Sequence, residues 1–172
     1  MKITPAILSI CIALSLVLPS CSSSSKHAVQ YNDTIIKYQS LVVEEMNILD
    51  KSFENGDVQL SEKNRLNAIK QTGISAMAIE KQGDFENNNS LKNAALKLIN
   101  LYRTLLEKQY AEIIQISDTH LRTFSVFQQK KLDKLRSDIR LELDLALDEF
   151  KTKQKEFAGK YGFRLNDVQK ES

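Results

Sequence analysis

The sequence predicts an all-α fold, an antiparallel up-down-up-down four-helix bundle. Apolar residues recur at steps of three and four from Ala28 to Tyr161, which is the spacing of one face of a helix. Both prolines of the chain, Pro5 and Pro19, precede this region, so no proline interrupts a helix within it. Short polar segments divide the region into four, and short connections favour antiparallel neighbours.

Residues 1–20 have the composition of a secretory signal peptide, and we expect them to be cleaved. Lys2 supplies a positive charge, and Ile7 to Leu18 form an apolar run. A membrane-spanning helix needs about 20 apolar residues, so this run is too short to remain as a stable span. It is therefore interpreted as a targeting segment.

The junction after the apolar run resembles the lipobox of bacterial lipoprotein precursors. Leu18 lies three residues before Cys21, and Ser20 lies immediately before it. The resemblance implies that Cys21 is the lipidation site, carrying a thioether-linked diacylglycerol and an amide-linked acyl chain. At about 0.8 kcal/mol per buried CH₂, two or more chains hold a protein on a membrane with negligible release.

Residues 21–27 are predicted to be the lipidated cysteine and a serine-rich tether, with Ser22 to Ser25 flexible. A serine directly after the cysteine resembles the pattern that two-membrane bacteria forward to the outer membrane. No acidic run follows it, which favours the periplasmic face. The expected location is therefore the cell envelope, on the outer membrane where there are two membranes.

The first two helices are predicted on either side of Asn55-Gly56-Asp57. Gly56 can adopt the left-handed conformation that ends a helix, and Asp57 or Ser61 can cap the next one. The first helix is expected to bury Ala28, Tyr31, Ile35, Tyr38, Val42, Met46, Leu49 and Phe53. The second, about Ser61 to Lys81, is expected to bury Leu66, Ile69, Ala76, Met77 and Ile79.

The third and fourth helices follow a polar loop, Gly83 to Ser90, in which Ser90 is a candidate N-cap. The third helix runs to a break at Ser117 to His120, and its apolar face is Leu91, Ala95, Leu98, Tyr102 and Leu105. The fourth ends at Gly159 and Gly162, with an apolar stripe of Leu121, Phe124, Leu132, Leu135, Ile139, Leu143, Ala146, Phe150, Phe157 and Tyr161. Residues 28–165 thus form one bundle domain, and residues 166–172 form a C-terminal tail.

The residues give little support for an enzyme, a metal site or a cofactor. The chain has two histidines, and neither is preceded by a glutamate three residues earlier, so the Glu-x-x-His ligands of a di-iron bundle are missing. Met46 and His120 are the one pair that could hold a haem, but Met46 fits the core stripe. Ser117, Asp118 and His120 are adjacent rather than convergent, and helix capping explains them better than a catalytic triad. We expect no enzymatic activity, no metal and no cofactor.

The charge pattern argues against a nucleic-acid partner, and the cysteine content argues against a disulfide. The formal net charge is +2, and acidic residues alternate with the lysines and arginines of the last helix, so no nucleic-acid partner is expected. Cys11 leaves with the signal and Cys21 is consumed by lipid, which leaves no thiol for a disulfide.

Five aromatic residues are candidates for contact with a partner. Phe85 lies in the polar loop, where it either covers the end of the bundle or stands exposed. The other four are the tyrosines beside the apolar stripes, namely Tyr31, Tyr38, Tyr102 and Tyr110.

Several segments of the mature chain resemble a family of small helical surface lipoproteins of unknown function. They are Tyr31-Asn32-Asp33, Leu91 to Leu96, Glu107 to Ile114 and Gln154 to Phe163. The resemblance implies a helical bundle at the cell surface and no activity. The sequence therefore predicts a lipid-anchored bundle that acts by contact with an envelope protein. A carrier or sensor of a small apolar ligand and an immunity-type inhibitor of an envelope toxin remain as alternatives.

Overall fold

The computed structural model describes residues 23–118 and 125–165, and this part of the chain is helical without a β-strand. The backbone remains in the helical region at Leu106 and Ala111, so the third helix continues from Ser90 to Ser117 through one widened turn. The prediction of an all-α fold with four helices is confirmed on that basis. The elements are α1 (Ser23–Glu54), α2 (Val58–Lys81), α3 (Ser90–Leu105), a π turn (Leu106–Tyr110), α4 (Ala111–Ser117) and α5 (Val126–Lys160).

The α1–α2 connection has the predicted chemistry. Gly56 has a φ of 68°, a left-handed conformation that favours glycine, and it ends α1. The Asp57 side chain accepts a hydrogen bond from the Leu60 backbone N–H at 2.9 Å and caps α2. The helix therefore begins at Val58 rather than at Ser61.

Three other predicted boundaries differ from the structure. Ser90 is the first residue of α3 and not its N-cap; the Asn88 side chain accepts from its backbone N–H at 3.1 Å instead. Gly159 lies inside α5, and Gly162, with a φ of 68°, follows the helix end. Ser125 and Gln128 form a capping box that begins α5, whereas the sequence pattern predicts that the stripe begins with Leu121 and Phe124, which lie outside the described residues.

The N-terminal end of α1 replaces most of the predicted tether. The helix begins at Ser23, and the Ser24 hydroxyl donates to a Glu86 carboxylate oxygen at 2.5 Å. Residues 23–27 are therefore helical rather than part of a flexible linker. Cys21, the signal segment 1–20 and the tail 166–172 lie outside the described residues.

The core follows the predicted stripe on α1 but not on α2. On α1 the predicted residues are buried, apart from Tyr38 and Phe53, which are half-buried. On α2 the prediction is wrong for Leu66 and Met77, which are 53% and 65% exposed. The residues that α2 buries are Ser61, Asn64, Ala68, Thr72, Ser75 and Ile79.

Small side chains let α2 approach α1 closely, and hydrogen bonds satisfy their polar groups. The Ser75 hydroxyl donates to the Tyr38 carbonyl at 2.8 Å, and the Ser52 hydroxyl donates to Ser61 at 3.0 Å. A close contact of this kind excludes the bulky Leu66 and Met77. The small polar residues therefore decide which face of α2 turns inward.

Helix α5 packs mainly against α3 and reaches α1 near its own C-terminal end. There the Gln154 side chain donates to Asn32 at 2.9 Å, and the Phe157 ring lies 5.6 Å from that of Tyr31. Halfway along α5 the contact is looser, because Leu143 is only half-buried. The α1–α5 side of the bundle is therefore closed at one end and open along its middle.

An aromatic cap closes the end where α1 begins and α5 finishes. The Phe85 ring lies 5.3 Å from Tyr31, 5.5 Å from Phe157 and 4.8 Å from Tyr161. The Tyr31 hydroxyl also donates to the Gly83 carbonyl at 2.9 Å. The loop between α2 and α3 is thus fastened to both α1 and α5. We define the aromatic cap as Tyr31, Phe85, Phe157, Tyr161 and Phe163.

A search for membrane spans over residues 23–118 and 125–165 finds no helix with the length and apolar content needed to cross a bilayer.

Candidate functional site

The open side of the bundle forms a groove of about 630 Å³ between α1 and α5. It exists because α5 buries Ile139 and then Phe150, with no fully buried residue between them. The floor is apolar and aromatic, and charged residues lie along both rims. We define the α1–α5 groove by Asp50, Phe53, Glu54, Tyr110, Ile113, Arg136, Ile139, Arg140, Leu143, Asp144 and Leu147.

The π turn supplies the aromatic floor of the groove. A π turn inserts an extra residue into a helix and redirects the side chains that follow it, and such turns are frequent at functional sites. Tyr110 is the last residue of this turn, and its ring stacks on Phe53 with 6.2 Å between centroids. The turn is held from outside, because the Arg65 guanidinium donates to the Leu106 carbonyl at 3.0 Å. Glu62 in turn binds Arg65 through two hydrogen bonds of 2.7 Å.

The Tyr110 hydroxyl and the Asp50 carboxylate form the polar centre of the groove. Burial raises the pKa of Asp50, and a hydrogen bond from Tyr110 and the nearby charge of Arg136 oppose that rise. Burial and the Asp50 charge raise the pKa of the Tyr110 phenol. The phenol is therefore protonated at neutral pH and acts as a hydrogen-bond donor. The arrangement places a phenol and a carboxylate side by side in the lining of the groove.

Charges of both signs line the rims of the groove. Arg136 and Arg140 are exposed and lie four residues apart on α5, hence on one face. Neither forms an ion pair with a described side chain, so both can accept an acidic group from outside. Glu54 on α1 and Asp144 on α5 can take a basic group in the same way.

A second cavity of about 310 Å³ extends the groove toward the α1–α2 turn. It shares Phe53 and Arg136 with the α1–α5 groove and is bounded by Gln129 on α5. From Gln129 to Leu147 the two cavities follow α5 for about 27 Å, at 1.5 Å per residue.

The five predicted contact residues do not form one surface. Tyr110 lies in the groove, whereas Tyr31 and Phe85 belong to the aromatic cap at the other end. Tyr102 is buried, and its hydroxyl accepts a hydrogen bond from the Gln39 side chain at 3.1 Å. Tyr38 is half-buried against the core. The proposed lipidation site, Cys21, lies outside the described residues.

The described residues do not show a haem site or a catalytic triad. Met46 is buried in the core, and the Ser117 hydroxyl donates to the Ile113 carbonyl at 2.8 Å. His120, which both the haem pair and the triad require, lies outside the described residues. Within residues 23–118 and 125–165, no group of three or more His, Cys, Asp or Glu side chains is placed to hold a metal ion.

The groove could not be predicted from the sequence, because its residues are split among α1, the π turn with α4, and α5. Arg136, Arg140 and Asp144 form a series with a spacing of four, which is a signal for one helix face. Because acidic and basic residues alternate on α5, the same spacing also fits a solvated face, which is what the sequence predicts.

Comparison with protein-family models, with curated proteins and with solved structures finds no match for this chain.

Proposed function

We propose that this chain is a lipid-anchored protein of the cell envelope, without enzymatic activity, that binds a helix of another envelope protein in the α1–α5 groove. The groove itself is the observation that carries this proposal. It combines an aromatic and apolar floor with charged rims, which is the pattern of a site for an amphipathic helix. Its open form suits a macromolecular partner better than an enclosed small ligand.

The dimensions of the groove fit that occupant. Together with the adjoining cavity, the groove follows α5 for about 27 Å, which corresponds to about five turns of a partner helix. The floor residues Phe53, Ile139 and Leu143 offer contacts for apolar side chains on one face of such a helix. The rims can pair with its flanking charges, and the Tyr110 hydroxyl, which donates to Asp50, can accept one hydrogen bond from it.

The lipobox resemblance supports attachment at Cys21, on the outer membrane and at its periplasmic face in a bacterium with two membranes. Cys21 precedes the start of α1 by two residues, so the lipid would hold the end that carries the aromatic cap. We also propose the up-down-up-down order for the four helices. The contact of Phe157, near the end of α5, with Tyr31, near the start of α1, supports it.

Site-specific photo-cross-linking tests the groove. We expect a photoreactive residue at Leu143 to yield a protein adduct in intact cells, because that side chain lines the groove. The same residue at Leu145, which is 65% exposed on the outer face of α5, is the matched control. Mapped contacts spaced by three and four residues in the partner would support a helix.

Equal adducts at both positions would overturn the groove assignment. An adduct of position 143 with a lipid or small molecule would favour the carrier alternative, which the apolar floor also accommodates. Identification of a secreted toxin as the partner would favour the immunity alternative.

Anchoring has an independent test. Cys21→Ser should abolish incorporation of a labelled fatty acid and leave precursor or unanchored protein. Continued labelling of this variant would contradict attachment at Cys21.

A further inference from the structure

The outer face of α2, which does not line the groove, carries a line of exposed lysines and apolar side chains. Six exposed side chains follow one another at steps of three and four, so they lie in a line along the helix. Lysines occupy both ends of the line, and one lies between the apolar members. We define this basic-apolar strip as Lys63, Leu66, Lys70, Ile74, Met77 and Lys81.

The apolar members of the strip are open to solvent. Leu66 is 53% exposed, Ile74 is 41% exposed and Met77 is 65% exposed. They face outward because α2 turns its small residues toward α1. Exposed apolar side chains that share one helix face form a candidate contact surface, and the lysines between and beside them distinguish this face from the rest of α2.

The charge on the strip has one sign. None of its members is acidic, and none of its lysines forms an ion pair with a described residue. The two acidic residues of α2, Glu62 and Glu80, fall outside the line, and Glu62 is bound by Arg65. Lysines beside apolar side chains match a bilayer with anionic headgroups, because the apolar groups enter the interface while the ammonium groups stay at the phosphates.

We propose that the basic-apolar strip lies on the surface of an anionic membrane, so that the protein lies flat with α2 against the lipid. This inference rests on the proposed membrane attachment and adds the orientation. The strip is about 27 Å long from Lys63 to Lys81, and its Lys81 end lies at the same end of the bundle as the start of α1. The hydrogen bond from Tyr31 to Gly83 fixes that proximity. Lipid on Cys21 and the strip would therefore touch one bilayer.

The orientation leaves the groove accessible. Helix α2 packs mainly on α1 and α3, and α5 packs mainly on α3, so α2 and α5 lie diagonally across the bundle. With α2 on the membrane, the α1–α5 side faces away from it, toward a partner.

Lysine labelling of the full-length chain in vesicles tests the strip. The protein, produced in a bacterial host that processes lipoproteins, is reconstituted in phosphatidylcholine alone or mixed with phosphatidylglycerol. A water-soluble amine-acetylating reagent is added, and each lysine is read by mass spectrometry. We expect Lys63, Lys70 and Lys81 to react about fivefold more slowly with the anionic lipid, while Lys134 and Lys155 on α5 do not change.

Two matched pairs of glutamate substitutions, one in the strip and one on α5, test whether the lysine protection depends on the strip itself. Leu66→Glu with Met77→Glu should abolish the protection, and Leu141→Glu with Leu145→Glu should preserve it. The two pairs are similarly exposed, at 53% and 65% against 61% and 65%, so neither should disturb the fold. Circular dichroism checks that both variants remain helical.

Flotation of the vesicles distinguishes failure of this inference from failure of the proposed attachment. Protein that floats but shows equal labelling in both lipid compositions overturns the strip and leaves the anchor in place. Protein that does not float overturns the attachment, and the strip with it. Equal protection of the α2 and α5 lysines also contradicts the proposed orientation.

Discussion

Phe85 lies in a polar loop and still packs against three aromatic rings, so its role depends on tertiary contacts. Phe85→Ala should lower the free energy of unfolding by about 2 kcal/mol or more, through lost burial and lost ring contacts in the aromatic cap. Phe127→Ala is a matched control: that ring is 76% exposed, and its loss should change stability by about 0.5 kcal/mol or less. Denaturant unfolding measures both. A Phe85→Ala curve that overlays the parent curve would assign this ring to partner contact.

Tyr31 makes stability sensitive to alkaline pH. Burial and the nearby Asp84 raise the pKa of its phenol from 10.0 to about 12. The unfolded chain ionises near pH 10 while the folded protein keeps the proton. The stabilising effect is therefore present below pH 10 and is lost as the pH rises toward 12.

Unfolding midpoints at several pH values test this sign. The parent should lose stability between pH 10 and pH 12, and Tyr31→Phe should lose less across the same window. The variant should start from a lower value at neutral pH, because it lacks the hydrogen bond to the Gly83 carbonyl. Parallel profiles for the two proteins would exclude Tyr31 as the source.

The role of a single residue can be predicted from the sequence where neighbouring residues determine it, and not where tertiary contacts do. Gly56 and Asp57 were predictable, because a helix end and an N-cap depend on neighbouring backbone groups. The sequence does not decide whether Phe85 is packed or exposed, since a loop residue belongs to no helical periodicity. The pairing of Asp50 with Tyr110 joins two helices and could not be derived from spacing.

At the scale of elements, α2 shows why hydropathy alone misorients a helix. Its large apolar residues spread around the axis, so the apolar pattern defines no single face. The inward face is set by Ala68, Thr72 and Ser75, which are small enough for close contact with α1. Size and hydrogen bonding outweigh hydropathy here, and Leu66 and Met77 are left in the basic-apolar strip.

The π turn depends on a support from α2. Arg65 is mostly buried and binds the Leu106 carbonyl, so its removal leaves a polar group of the turn without that donor. Arg65→Gln should reduce the free energy of unfolding by about 1–3 kcal/mol. Arg103→Gln is the matched control, because Arg103 pairs with Glu107 on the exposed surface, where ion pairs contribute about 0–1 kcal/mol.

Denaturant unfolding compares the two arginine variants, and fluorescence of a probe in the groove reports whether Tyr110 has shifted. Equal small effects of both substitutions would show that Arg65 does not support the π turn.

At the scale of the whole molecule, the fold class was predictable because helical periodicity is a local property that extends over most of the chain. The groove was not, because it results from uneven packing between α1 and α5, which no single segment encodes. The stripe of α5 reads as continuous in the sequence. In the structure its middle, around Leu143, is only half-buried, while Phe150 and Phe157 are buried near the end.

The C-terminal end of α5 packs against the rest of the bundle through Phe150 and Phe157, so the stability of the whole fold should depend on it. Residues 23–165 contain the hydrophobic core of the part of the chain that the structure describes, and this fragment should be highly helical and unfold in one cooperative transition. A fragment of residues 23–149 lacks Phe150 and the α5 part of the aromatic cap. Loss of Phe150 and Phe157 alone would cost about 3–5 kcal/mol each, against a total stability of about 5–15 kcal/mol for a domain. The shorter fragment should therefore lose the cooperative transition in a circular dichroism melt, and an unchanged melting temperature would show that α1, α2 and α3 form the stable core without the end of α5.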